Sequence, residues 1–340
     1  MTKKPSLKDI AQKAGVSVTL VSYVLNNQKE NRINKETAKR IRAAASKLNY
    51  RTNQAARSLK TNKTLTLGLI VADISNPFFS GLARIIEDEA ASMNYTVIFG
   101  SSDESEEKYT RLVDTFLNRQ VDGLIIAPPQ NSEAQIKYLQ KQRTPFVLID
   151  RYFPDLKADY VILDNYGSAY DATTHLIDNG RKKIGLITYK TDLVHLIDRK
   201  LGFVGALNDR KIKYKDTWIK EVAHNDRQEI ENAVDSLLNM NTPVDALLFT
   251  SNTIATYAVK YINTLPIKVP EMLALACFDE TEALDLFYAP LTYVKQPMQE
   301  IGRAAINILL EKLQNRSKLT QVRLKGELIV RSSSRENSSR

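Results

Sequence analysis

Cysteine is nearly missing from this chain. Cys277 stands alone among 340 residues, so neither an intrachain disulfide nor a cysteine zinc cluster can form, and a reducing compartment is the expectation that follows. Histidine is scarce as well: His175, His195 and His224 are scattered and never form an H-E-x-x-H pattern. There is no G-x-S-x-G elbow, no P-loop and no G-x-G-x-x-G after a strand. Carboxylates are plentiful, but no pair is set apart for acid–base work. These absences weigh against an enzyme and leave no cofactor or metal site to expect. The histidines read as solvated or structural, and the single Trp218 reads as core. Long apolar runs are lacking too, since none approaches the roughly 20 residues that a membrane-crossing helix needs. The opening stretch MTKKPSLKDI carries cations without an apolar signal core. The expectation is a globular, cytoplasmic protein with no membrane partner.

What the chain does have is unevenly placed charge. Of the formal net charge of +9, residues 1–63 hold fifteen Lys and Arg against Asp9, Glu30 and Glu36, a net +12, which leaves −3 for the rest. A polycationic end that also carries helix caps and apolar periodicity points to nucleic-acid binding rather than to a solubilising tail.

In SLKDIAQKAGVSVTLVSYVLNN, Ser6 and Asp9 form a capping pair, and Leu7, Ile10, Ala11 and Ala14 share one helical face. Gly15 suits a tight turn at positive φ, Ser17 caps a second helix, and Val21 with Val24 or Leu25 returns an apolar stripe to the first. A third helix is expected from a cap near Asn34, with Ala38, Ile41, Ala45 and Leu48 inward and Lys35, Lys39, Arg40, Arg42 and Lys47 outward. The spacing Ala11, Gly15, Val21 fits a helix-turn-helix. Its second helix turns Ser17, Val18, Thr19, Ser22 and Tyr23 outward as candidate DNA contacts: valine for a thymine methyl, hydroxyls for bases or phosphates.

The segments LKDIAQKAGVSVTLVSYVLNN, INKETAKRIRAAASKLNY and NQAARSLKTNKT resemble the DNA-binding head and hinge of the lactose-repressor (LacI/GalR) family. The resemblance runs on to about residue 335 through DISNPFF, VDGLIIAP, PFVLIDR, HLIDNGRKKIGLI, CFDE and PLTYVKQP. It implies a homodimeric bacterial transcription regulator, most simply a repressor. Such a protein binds double-stranded, pseudo-palindromic operator DNA and is nucleoid-associated while bound. It also gives AARSLKTNKT, too short to be a stable helix alone, a role as a hinge helix that orders in the minor groove. There Asn53 would cap it, Arg57 and Lys60 would neutralise phosphates, and Leu59, by similarity the minor-groove leucine, would wedge between base steps. The chain departs from the family where Leu20 and Tyr23 replace a common Thr and Arg, and where Thr52 replaces a Pro before the hinge. Base preference therefore does not carry over.

From Leu65 onward, short apolar strands alternate with helical segments: LTLGLIVAD, YTVIFGS, DGLIIAP, PFVLID, then YVILD, KIGLIT, VDALLFT and MLALACF. Continuous apolar strands suit parallel sheets covered on both faces. The resemblance narrows this to a periplasmic-binding-protein-like core of two doubly wound parallel-sheet lobes, behind an all-α head. The expected boundaries are a head over 1–50, a hinge over 51–63, a first lobe over 64–163 and 292–322, and a second over 164–291 and 323–335. The end RSSSRENSSR reads as polar and disordered, with 336–340 set apart as the tail, rather than as a tetramerising heptad segment, so a dimer is expected.

Ligands of open α/β sheets sit beyond the C-terminal strand ends. Asn76 with Phe78, Asp150 with Arg151, Asn252 and Asp279 fall there, and Arg199 in DRKLGF matches the family's effector-binding arginine. Together they resemble a sugar site between two lobes. Thr253 stands where the family often has Asp, and Cys277 where it has Gly. A carbohydrate or phosphosugar is the family-weighted effector, with a purine or nucleoside as the alternative.

Overall fold

The computed structural model describes residues 5–26, 32–50, 63–224, 226–315 and 318–335. The chain divides into two compact units, one ending at Thr64 and the other beginning at Leu65.

The first unit holds α1 (Leu7–Ala14), α2 (Val18–Leu25) and α3 (Lys35–Lys47). The ends are set by local chemistry. The Asp9 carboxylate accepts from Ser6 N at 2.7 Å while Ser6 Oγ accepts from Asp9 N at 3.4 Å, a reciprocal capping box. Gly15 ends α1 at φ 64, a conformation that glycine adopts without a Cβ clash. Ser17 Oγ accepts from Leu20 N at 3.2 Å and Asn34 Oδ1 from Glu36 N at 2.8 Å, starting α2 and α3. Ile10, Val21 and Ile41, one from each helix, are fully buried together, with Ala11, Ala14, Val24, Ala44 and Ala45 around them. Ala44 lies deeper than the expected Ala38 and Leu48, which sit half-buried at the edge of this cluster. The five α3 cations named from the sequence are all exposed.

The second unit contains two six-stranded sheets. The first has the order β11-β5-β4-β3-β1-β2 and is parallel throughout. Its strands are β1 (Thr66–Val71), β2 (Thr96–Ser101), β3 (Gly123–Ile126), β4 (Phe146–Ile149), β5 (Tyr160–Leu163) and β11 (Gln321–Leu324). Packed on it are α4 (Pro77–Ser92), α5 (Glu106–Asn118), α6 (Glu133–Lys141) and α12 (Met298–Leu313). The second sheet has the order β12-β10-β9-β8-β6-β7. It comprises β6 (Ile184–Tyr189), β7 (Ile219–Val222), β8 (Ala246–Phe249), β9 (Ala274–Phe278), β10 (Thr292–Lys295) and β12 (Glu327–Ile329). Its helices are α7 (Asn165–Asp178), α8 (Val194–Asp209), α9 (Arg227–Leu238), α10 (Asn252–Ile262) and α11 (Glu282–Asp285). Its edge strand β12 runs antiparallel to β10, while the other pairs are parallel. The inner strands β3, β4, β6, β8 and β9 are buried along their whole length, as strands covered on both faces must be.

Two lobe boundaries differ from the sequence expectation. Residues 292–295 do not open the return to the first lobe: β10 pairs with β9, Thr292 opposite Ala276, and the chain leaves the second sheet only at Gln296 and Pro297. Pro297 has no N–H to continue a ladder, and α12 begins at the next residue. The last return comes after Leu324, opposite Leu163 in β11–β5, rather than at 322, because β11 completes its pairing before Gly326 leads into β12. The tail reading also needs correction for 331–335. Ser333 and Ser334 are fully buried, with Ser333 Oγ donating to Leu275 O at 2.7 Å and His175 Nε2 2.7 Å from Ser334 Oγ. Residues 336–340 lie outside the described residues. Trp218 is buried in the second-lobe core.

Candidate DNA-contact face and interlobe cleft

On α2, Ser17, Val18 and Thr19 are exposed and Ser22 and Tyr23 half-buried. Burial of Val21 and Val24 on the opposite side turns these residues outward. Ser17 already accepts a backbone bond as a cap, and the Asn26 amide donates to Ser22 O at 2.8 Å, so the helix start and end are stiffened where DNA would meet them. Asn53, Arg57, Leu59 and Lys60 lie outside the described residues.

In the second unit, a cavity of about 250 Å³ opens between the two lobes. Six of the seven residues singled out for the effector line it: Asn76, Phe78, Asp150, Arg151, Arg199 and Asp279. Asn252 does not. Its amide Nδ2 donates across the lobes to Asn76 Oδ1 at 3.0 Å, and its backbone N–H bonds the Asp279 carboxylate. It therefore holds two lining residues from behind, a position imposed by its place in the first turn of α10.

The charged lining residues are tied together. Arg151 forks onto Glu104, with Nη2 to Oε1 at 2.6 Å and Nη1 to Oε2 at 2.7 Å, and its Nε lies 3.4 Å from Asp150 Oδ2. Arg199 donates to Asn165 Oδ1 at 2.8 Å and Thr250 O at 2.6 Å, with its guanidinium 4.0 Å from the centre of the Phe278 ring. Asp279 accepts from Gln296 Nε2 at 2.6 Å. Burial pushes the Asp150 carboxyl up to about 6 against the opposing charges of Arg151 and Arg199, and it raises Asp279 as well. Burial acts upward on Glu104 too, but the charge and hydrogen bonds of Arg151 outweigh it and leave that carboxyl below its usual range.

Several lining residues escaped the sequence reading. His195 and His224, read there as ordinary solvated or structural histidines, both face the cavity, while His175 is engaged with Ser334. Burial, then the positive charges of Arg151 and Arg199, hold His195 far below its ordinary value, so it is neutral. His224 lies against Tyr189, ring centres 4.9 Å apart, and its Nε2 is 4.0 Å from Glu104 Oε1 across the mouth. Gln130 joins the lobes at the rim: it accepts from Thr191 Oγ1 at 2.9 Å and donates to Asp192 Oδ2 at 3.1 Å. Glu104, Gln130 and His224 all follow strands β2, β3 and β7, the places where a ligand is expected. Their residue types carry no signal that separates them from other loop residues. Among the described residues no group of three or more His, Cys, Asp or Glu is placed to hold a metal, and no helix is long and apolar enough to cross a membrane.

Comparison with known proteins agrees with this architecture. Residues 6–53 match the family described as bacterial regulatory proteins, lacI family, and residues 173–334 match a periplasmic binding protein-like domain. The chain is 31% identical over 311 residues to the probable HTH-type transcriptional regulator EndR of Paenibacillus polymyxa, covering 91% of this chain and 90% of that protein. It is 32% identical over 333 residues to the HTH-type transcriptional repressor PurR of Aliivibrio fischeri, covering 96% and 98%. In fold it is similar to the lac repressor dimer bound to operator and the anti-inducer ONPF, with a TM-score of 0.86 at 22% identity over 98% of this chain and 100% of that one. Helix-turn-helix head, two-lobed core and full-length kinship coincide: the chain belongs to the lacI family of bacterial regulatory proteins and is a DNA-binding transcriptional repressor rather than an enzyme.

Proposed function

We propose that this repressor acts as a cytoplasmic homodimer on a pseudo-palindromic operator and that a small molecule, a sugar or phosphosugar, held between the core lobes sets its DNA affinity. The observation that carries this reading is the buried network Glu104–Arg151–Asp150 and Arg199–Asp279 around a cavity between two lobes. Burying so many charges is costly even when they are paired, and a cleft of this kind is where open α/β sheets hold ligands. The second support is the outward set Ser17, Val18, Thr19, Ser22 and Tyr23 on a helix of the right motif.

In this mechanism, Asn53, Arg57, Leu59 and Lys60 belong to a conditional hinge helix that orders as a pair in the minor groove. An effector with unequal affinity for two lobe arrangements would shift the spacing of those hinges. A coupling of about 1–3 kcal/mol corresponds to roughly 5- to 150-fold in operator affinity. The test uses the full-length protein and a DNA fragment selected from random sequence by repeated binding. A DNase footprint with twofold symmetry, released or strengthened by one member of a sugar, phosphosugar and purine panel, is expected. A footprint indifferent to every ligand that the protein binds would remove the allosteric part.

A further inference from the structure

We propose that two side-chain bridges, Gln130 to Thr191 and Asp192, and Asn252 to Asn76, form a paired latch that sets how readily the core lobes part, so that Gln130 and Asn252 act by positioning the lobes. The inference rests on lobe arrangement controlling DNA affinity and names the residues that bias that arrangement.

Placement is the first argument. In sheet order the strands of the two lobes correspond as β11 with β12, β5 with β10, β4 with β9, β3 with β8, β1 with β6 and β2 with β7. Asn76 follows β1 and Asn252 follows β8, while Gln130 follows β3 and Thr191 and Asp192 follow β6. Each bridge therefore joins the loop after a fourth strand to the loop after a fifth. They are the same contact made twice, with the roles of the lobes exchanged. The chain crosses between lobes at the first and second strands of each sheet, where β5, β10 and β11 end and β12 begins. With neighbouring strands about 4.8 Å apart, the bridges sit two to three strand spacings from the crossings, about 10–14 Å. That is the side that must separate when the lobes swing open about the crossings.

Hydrogen bonding is the second. Gln130 uses both ends of its amide: Oε1 accepts from Thr191 Oγ1 at 2.9 Å and Nε2 donates to Asp192 Oδ2 at 3.1 Å. Thr191 Oγ1 in turn accepts from Leu193 N at 3.1 Å. Leu193 stands at the N-cap of α8 and supplies no side-chain cap, so the threonine fixes the approach to that helix. The other bridge repeats the pattern, for Asn76 Oδ1 accepts from Asn252 Nδ2 and from Phe78 N, both at 3.0 Å, the second bond starting α4. Each bridge thus ends on the oxygen that sets the entry of a helix: α4 brings Phe78 and Phe79 to the cavity, and α8 brings His195 and Arg199. Opening the lobes takes a partner from each oxygen. One neutral hydrogen bond shifts a two-state ratio about fivefold, and two about 25-fold, which lies within the roughly 5- to 150-fold that allosteric coupling spans.

The experiment is double electron–electron resonance on the full-length protein, with spin labels at Lys137→Cys on α6 and Asn208→Cys on α8, both exposed positions. The native Cys277 is buried and takes no label. Gln130→Ala and Asn252→Ala are each expected to raise the open-to-closed ratio about fivefold, and the double variant about 25-fold, seen as a second, longer distance. Gln130→Glu sets a carboxylate against Asp192 and opens the lobes at least as far as alanine does. Adding Asp192→Asn turns the repelling group into a donor and closes them again. A merely structural loss at Gln130 is indifferent to the charge at position 192. Distances unchanged by Gln130→Ala and Gln130→Glu, or an opening that Asp192→Asn does not reverse, overturn the latch. Gln130 is half-buried and Asp192 exposed, so this pair decides the matter even if the buried Asn252 does not tolerate alanine. Operator affinity on the selected DNA fragment separates the latch from the function proposed above. Lobes that open with operator affinity shifted in one common direction support both, whereas lobes that open with affinity unchanged support the latch and remove lobe control of DNA binding.

Discussion

Asp150 and Asp279 occupy the same place in the two lobes. Each follows the last residue of its strand, β4 or β9, in the left-handed region at φ 64 and φ 71. Each donates its backbone N–H to the neighbouring strand, Asp150 to Val161 O at 3.1 Å and Asp279 to Val294 O at 3.0 Å. Sheet orders that match strand for strand bring the two carboxyls to the cavity from opposite sides. Left-handed backbone is unfavourable for most residues but tolerated by Asp, so the turn aims each side chain inward.

This arrangement predicts a stability that falls as pH rises. The folded Asp150 carboxyl titrates at about 6 against roughly 3.9 unfolded, so between those values the folded state binds the extra proton. The contribution is most favourable below the unfolded value and is lost as pH climbs through about 6, amounting to roughly 3 kcal/mol for this group. Urea denaturation from pH 4 to 7 checks it. The stability of wild type relative to Asp150→Asn should decline over that window, and a constant difference would show that the buried carboxyl does not hold its proton.

Arg199→Ala removes a cation that two buried carboxyls face and leaves Asn165 Oδ1 and Thr250 O without their donor. The expected loss is about 3–5 kcal/mol of stability, as for a broken buried pair, together with the effector response. Arg199→Lys should recover little of either, since an ammonium cannot span Asn165 and Thr250 while lying flat on Phe278. Denaturation midpoints and ligand titrations of the two variants provide the check.

Gly202 brings α7 and α8 together. A Cβ built there would stand 2.2 Å from Tyr166 O and 3.1 Å from the Ala169 Cβ, and backbone cannot swing aside as a long side chain can. Gly202→Ala should cost at least the roughly 1–3 kcal/mol of an overpacked core. A melting temperature unchanged from wild type would mean that the two helices are less closely fitted than described.

Leu59→Ala is expected to weaken operator binding about tenfold or more, by losing a wedge worth on the order of 1–2 kcal/mol, while leaving effector binding intact. Fluorescence anisotropy on operator DNA, with a bending assay beside it, reads both effects. Equal affinity and equal bending would take the wedge role away from Leu59.

The three head helices, the inner strands and five of the cavity-lining residues could be read from the chain alone because their signals are local, while Arg199 was singled out by the family resemblance. A cap lies within three residues of what it caps, an apolar stripe repeats every turn, and a strand buried on both faces is a continuous apolar run. The lobe crossings at 296 and 325 were not legible in this way: β10 belongs to the second sheet through its pairing with β9 rather than through any local signal, and QVRL in the edge strand β11 alternates polar with half-buried residues like an ordinary loop. Nor were the roles of Glu104, His195 and His224, separated from Arg151 by 44 to 73 positions along the chain. Sequence by itself determined the family, the two kinds of domain and the strand ends at which a ligand would gather. Only tertiary structure decided that Arg151 is already held by Glu104, that Asn252 stands behind Asn76, and that a neutral histidine faces the cavity. Burial and charge pairing depend on which distant segments the fold brings within a few ångströms, and no periodicity along a single chain encodes that meeting.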